Sequence, residues 1–271
     1  MDPGLTGRSA RPIPGIDNGY LAGYRVRFDE AGPDARVRTS ALLRYAQDVA
    51  WRHSEDLGFD RQWYIDRGRW WVVRSVELDV LAPIAMGETI RLSTVVIGHR
   101  RIWARRLGEC RLSDGTLAAV ATTDWVILDE RGRLVRIPDD FGLSFSNPQL
   151  DEDILRVDPA PPAGADGSGT RSEGEPEPVR IEISVRPRDL DPMGHVNNAV
   201  YLDWIEEILG SADCDVSAVP RRYRIEYLAS AEPGDRVVGL GRRVGETWHL
   251  SLAREAGSEL VRAAVTVAAG T

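Results

Sequence analysis

No lysine occurs among the 271 residues, and all 34 basic side chains are arginine. Such uniformity reads as base composition, so the abundance of arginine carries no chemistry by itself. Cysteine is scarce too. Cys110 and Cys214 fall in different halves without metal-ligand spacing, and are expected to be free thiols in a reducing cytoplasm. His53, His99, His195 and His249 form no cluster, so neither a metal nor any other cofactor is expected. No run of about eighteen apolar residues exists, which argues against membrane insertion. Residues 1–18 are rich in Gly and Pro and lack the apolar core of an export signal, so a cytoplasmic location is expected. A net charge of -8 argues against a nucleic-acid partner. Neither a Gly-x-Ser-x-Gly elbow nor a phosphate-binding Gly-x-x-x-x-Gly-Lys loop is present.

The rest is ordinary for a globular protein, with 42% hydrophobic and 28% charged residues, and the length suggests two domains. Residues 142–179 read as an acidic linker crowded with Pro and Gly. From Asp151 to Glu177 it carries eight acids against two arginines. The flanking regions share one order of elements. The first has a strand near 24–28, a helix near 40–57 ended by Gly58, then strands near 70–81, 89–98, 102–112 and 117–128. The second has a strand near 182–186, a helix near 199–209, then strands near 223–230, 236–244, 248–255 and 260–268. Two copies of one α+β unit follow: residues 20–141 and 180–271, with 1–19 a flexible N-terminus. Arg100, Arg101, Arg105 and Arg106 concentrate positive charge, as do Arg221, Arg222 and Arg224. They are expected mainly on alternate solvent-facing strand positions, the rival reading being a docking patch for an acidic carrier or for coenzyme A phosphates.

The most informative stretch runs from Arg186 to Glu207. Asp189 and Asp191 lie in a turn with Pro192 and Gly194, and Asn197 and Asn198 are helix-cap candidates. Apolar residues then recur at Val200, Tyr201, Trp204, Ile205, Ile208 and Leu209, as one buried helical stripe does. Unpaired amides at a helix start attract an oxyanion, and Gly194, Val196 and Asn197 are the residues expected to form that end of the site. An acid beside such donors is equipment for cutting an acyl bond. Asp191 is the candidate nucleophile or general base, with His195 four residues on. Asp189 would shape the turn.

Asp-Leu-Asp-Pro-Met-Gly-His-Val-Asn-Asn-Ala-Val-Tyr, residues 189–201, resembles the signature of hotdog-fold thioesterases, most of all the second half of acyl-ACP thioesterases. Its Asp-x-Asp-Pro-x-Gly turn is also related to that of hydroxybenzoyl-CoA and acyl-CoA thioesterases. The resemblance implies a tandem hotdog, each half a long central helix wrapped by an antiparallel sheet. It implies hydrolysis of fatty acyl-ACP to free fatty acid and carrier thiol, in fatty acid biosynthesis, with His195 at the place of the family's active-site histidine, to hold water or the carboxylate or to protonate the departing thiolate. The carrier is acyl carrier protein, with acyl-CoA or aryl-CoA the alternative, and the protein a monomer or homodimer. The first half would wall an acyl pocket, with Trp51, Trp70 and Trp71 limiting chain length. Two departures stand out: the family's Asn two residues after the acid is Met193, and its distal Glu falls at Ser230. Glu226 is an auxiliary acid nearby, expected to face solvent and to share Ser230's side of the strand. These losses raise a rival of another class, an acyl-binding module with weak or no catalysis. A gapless offset of 159 pairs Asp191 with Gly32, Gly194 with Ala35 and His195 with Arg36, which leaves one active site, in the second half.

Overall fold

The computed structural model describes residues 19–143, 150, 152–159 and 178–268. The expected flexible N-terminus and most of the expected linker lie outside the described residues. The chain divides into two units between Ile154 and Leu155.

In the first unit, β1 (Tyr20–Arg25) is followed by the long helix α1 (Thr39–Asp56) and the short α2 (Arg61–Arg67). Then come β2 (Arg69–Val80), β3 (Thr89–His99), β4 (Trp103–Leu112), β5 (Leu117–Asp129) and α3 (Asp139–Leu143). The strands form an antiparallel sheet in the order β1-β3-β4-β5-β2. Helix α1 buries Leu42, Tyr45, Val49 and His53, its apolar stripe, against β1 and β3. The second unit runs β6 (Val179–Ser184), α4 (Asn198–Gly210), β7 (Arg221–Tyr227), β8 (Arg236–Val244), β9 (Thr247–Arg254) and β10 (Glu259–Val267). Its order, β6-β8-β9-β10-β7, repeats that of the first unit strand for strand, and α4 packs on β6 and β8. Each unit is a hotdog: a five-stranded antiparallel sheet around one central helix. No described helix is long and apolar enough to cross a membrane.

The opening strands lie a few residues earlier than the sequence suggests. Val26 and Phe28 continue an alternation, but the Glu30 carboxylate accepts Arg27 N–H at 2.8 Å and winds residues 28–30 into a 3-10 turn. Asp189 does the same for Arg186 N–H at 2.7 Å. Helix α2 was not foreseen, since seven residues are too few for periodicity. Its punctuation was present, however: Asp60 accepts Trp63 N–H at 2.9 Å, and Gly68 closes the helix at φ 55°.

The helix sits deepest in the second unit. A Cβ on Gly241 would lie 2.6 Å from Ile208 Cγ2, and one on Gly239 2.8 Å from Ile208 Cδ1. The matching positions of the first unit hold Val49 in place of Ile208, with Leu92 and Thr94 in place of the glycines. Leu92 pairs with Ala22 as Gly239 pairs with Ile181. Side-chain volume has moved from strand to helix, with the layer still filled. Gly241→Ala is therefore expected to destabilise the protein by about 1–3 kcal/mol, measured by the urea midpoint. The same change should cost less in an Ile208→Ala background.

Candidate active site

The turn before α4 is held by its own groups. Asp191 N–H donates to His195 O at 2.8 Å and Gly194 N–H to Asp191 O at 3.0 Å, with Gly194 at φ 83°. The Asp191 Oδ1 accepts Met193 N–H at 2.8 Å and His195 N–H at 3.3 Å. That leaves Oδ2 without a hydrogen-bond partner among the described residues, on a half-buried side chain. Two amides thus fix one carboxylate oxygen and leave the other available. His195 shares the turn through its main chain, and its half-buried imidazole makes no hydrogen bond to Asp191. Met193, 44% exposed, stands at the turn's tip, where a thioether gives water no donor.

The amides expected to form the oxyanion end require correction. Gly194 N–H is spent within the turn, Val196 N–H donates to Ala231 O at 3.1 Å, and Asn197 N–H to Asp189 O at 2.9 Å. Closing so tight a turn consumes the donors that precede the helix. Asn197 is the N-cap, and its side chain takes Ala199 N–H at 2.9 Å. The amide left without a partner among the described residues is that of Asn198, the first residue of α4, where a helix exposes its positive end. Its carbonyl is anchored by the Tyr227 hydroxyl at 3.1 Å. Sequence reasoning treated Asn198 only as a cap candidate. The one-residue difference between cap and first turn decides which amide is free.

Ser230 lies in the loop beside this turn, since β7 ends at Tyr227. Ala231 N–H donates to Tyr201 Oη at 2.6 Å, and Arg254 ties the loop down through Ser230 O and, at 2.8 Å, through Asp235. Burial pushes the Tyr201 phenol up to about 12, so it stays protonated. Glu226 differs from expectation on both counts. It is 2% exposed and accepts from Arg156 Nη1 at 2.8 Å and Val157 N at 3.0 Å, and Ser230 lies past the end of its strand. It anchors a described piece of the expected spacer, a partner 70 residues away that no local pattern announces.

The first unit builds the same turn with Gly32 at the position of Asp191. Gly32 N–H donates to Arg36 O at 2.8 Å, Ala35 N–H to Gly32 O at 3.0 Å, and Ala35 takes φ 56°. Asp34 supplies the turn carboxylate, accepting Arg36 N–H at 3.1 Å. The offset of 159 thus holds bond for bond, with the acid moved two residues on.

Of the tryptophans assigned to an acyl pocket, Trp70 and Trp71 pack half-buried on an apolar cluster with Phe59, Tyr64 and Phe141. Trp51 is 40% exposed, its indole N–H tied to Glu55 at 2.7 Å. Arg101, Arg222 and Arg224 are exposed as expected, but the remaining arginines of the two groups do not form a free patch. Arg105 and Arg106 are buried, and Arg100 bonds Leu150 O at 2.6 Å and Asp153 at 3.1 Å. Cys110 and Cys214 are free thiols, and no metal-binding cluster occurs among the described residues.

Two family models match in succession: the acyl-ACP thioesterase N-terminal domain over residues 17–144, and its C-terminal domain over 173–264. A chloroplastic acyl-[acyl-carrier-protein] hydrolase of Cuphea viscosissima is 24% identical over 90% of this chain, which spans 61% of that relative's length. Among solved structures, an acyl-ACP thioesterase from Bacteroides thetaiotaomicron superposes with a TM-score of 0.73 at 16% identity, covering 93% of this chain and 98% of that one. The 12:0-ACP thioesterase of Umbellularia californica gives 0.73 at 21% identity, covering 92% and 96%. These likenesses show the tandem hotdog fold.

Proposed function

The chain belongs to the acyl-ACP thioesterase family, and on that premise we propose that it hydrolyses fatty acyl-ACP to free fatty acid and carrier thiol, in the cytoplasm. The observation that carries this reading is Asp191, with one oxygen held by two amides, the other unpartnered, and the open start of α4 a few residues on.

In this mechanism Asp191 Oδ2 takes a proton from water, and the resulting hydroxide adds to the thioester carbonyl carbon. The carbonyl oxygen gains the negative charge and is met by Asn198 N–H at the positive end of α4. Collapse of the tetrahedral intermediate breaks the C–S bond, and the departing thiolate takes a proton from His195 or from water. A direct attack by the carboxylate, giving a mixed anhydride, uses the same atoms in another order. We assign this chemistry to the second unit and the acyl pocket to the first, because Gly32 stands where the acid would be.

A second reading, an acyl-binding module with weak or no catalysis, is favoured by Met193 and Ser230, which remove two polar groups able to place water. One experiment separates the two: the purified protein is given panels of acyl-ACP and acyl-CoA, and free thiol is followed. Thiol release supports the hydrolase, with the faster carrier identifying the substrate class. Binding without release supports the module. Asp34→Asn should leave turnover within about a few-fold while altering only a turn bond. If that change abolished thiol release in a folded protein, the single site would be wrong.

A further inference from the structure

Inside the first unit lies a guanidinium that no described acid neutralises. Arg106 of β4 is 8% exposed, and its Nη1 lies 3.0 Å from His53 Nδ1 on α1 and 3.4 Å from Thr94 Oγ1 on β3. His53 and Thr94 are themselves 2% and 3% exposed. Arginine only donates, so His53 accepts at Nδ1 and carries its proton on Nε2. Burial and the adjacent guanidinium push the imidazole down to about 3, which keeps it neutral. Burial also draws Arg106 down to about 10, still protonated at neutral pH. Its Nε and Nη2 have no hydrogen-bond partner among the described residues.

The neighbouring residue shows what a structural arginine looks like here. Arg105 grips Asp124 with two bonds, at 2.7 and 3.0 Å. Arg106 has no such partner, and the fold does not require a charged group at its position. Thr94 pairs with Tyr20 as Gly241 pairs with Val179, and on this register Arg106 corresponds to Trp248 of the second unit. Trp248 is an uncharged side chain buried there against Gly241 and hydrogen-bonded to Cys214. Thr123 of β5 lies across the ladder from Arg106 and the Tyr64 hydroxyl is near enough to feel its charge, and the other neighbours are apolar. Val96 sits across the ladder, and Val96 and Ala104 belong to the cluster of Phe59, Tyr64, Ile127 and Phe141. A buried cation with open donors, walled by aromatic and aliphatic side chains, fits a molecule with an anionic head and an apolar body.

We propose that the interior of the first unit binds a carboxylate with an apolar body, whose oxygens take the open Nε–H and Nη2–H donors of Arg106. The carboxylate is either that of a free fatty acid or one at the far end of an acyl substrate.

Calorimetry on the full chain with octanoate and 1-octanol tests this without turnover, so the outcome is independent of the hydrolytic reading. Octanoate should bind about tenfold or more tightly than the alcohol, as a charge-assisted contact requires. Arg106→Leu should erase that preference and leave Tm equal or higher, since it removes a buried unpaired charge; Arg106→Lys should keep part of the preference. Equal affinities in the unaltered protein would overturn the proposal with no variant needed, and so would a preference that survives Arg106→Leu. A comparison of kcat/KM for ω-carboxylated and methyl-ended acyl thioesters then assigns the source. A gain lost in Arg106→Leu places the carboxylate on the substrate, whereas octanoate binding with no such gain places it on a free acid.

Discussion

Asp191→Asn is expected to lower kcat on the best thioester by roughly 10²–10⁴, the range for removing a positioned proton-transfer group. The substitution is informative because it leaves the turn intact. An amide oxygen can still accept Met193 N–H and His195 N–H, the two bonds that hold Oδ1. What disappears is the basicity and nucleophilicity of Oδ2. KM should change little, because Asn198 N–H and the acyl pocket are untouched. His195→Ala should cost less if Asp191 alone activates water, and about as much if the two act as a unit. Steady-state kinetics with a circular dichroism check of folding decide the matter. A folded Asp191→Asn variant with unimpaired turnover would leave the turn as scaffold only.

The largest expected loss of stability comes from Asp124→Asn. Asp124 is 2% exposed and bonds Arg105 Nε at 2.7 Å, Arg105 Nη2 at 3.0 Å and Ser75 Oγ at 3.0 Å. Removing one partner of a buried ion pair leaves an uncompensated charge, which costs about 3–5 kcal/mol. The same guanidinium also meets Glu152, whose side chain is 77% exposed, and exposed pairs contribute about 0–1 kcal/mol. Glu152→Gln should therefore be nearly silent where Asp124→Asn is severe, although both remove a carboxylate from Arg105. Replacing Arg105 and Asp124 together by Met and Leu should recover most of the loss, because it also removes the desolvation cost. Urea unfolding of the four proteins measures this ordering. A mild Asp124→Asn variant would show that the charge finds water or another partner.

What the sequence determined by itself was whatever depends on near neighbours in the chain. The two helices were legible because burial on one face repeats every three or four residues, and the later strands because their alternation runs seven residues or more. The internal repeat, and the loss of the acid at Gly32, followed from a fixed offset that the structure reproduces bond for bond. The turn around Asp191 was legible for the same reason: Asp, Pro, Gly and Asn act on amides two to four residues away.

Only the tertiary structure decided what depends on distant partners. Glu226 looks like a surface acid until Arg156 and Val157, about seventy positions earlier, fold over it. Arg105 looks like half of a basic patch until Asp124 and the 152–153 segment close on it. The choice of open amide at α4 was tertiary in the same sense. Asp189 and Ala231 claim the amides of Asn197 and Val196, and Ala231 reaches the turn only through the packing of the β7–β8 loop. A buried polar group must find a partner wherever the fold supplies one. Its identity is therefore set by which strands and loops meet in space, which a pattern along the chain does not encode.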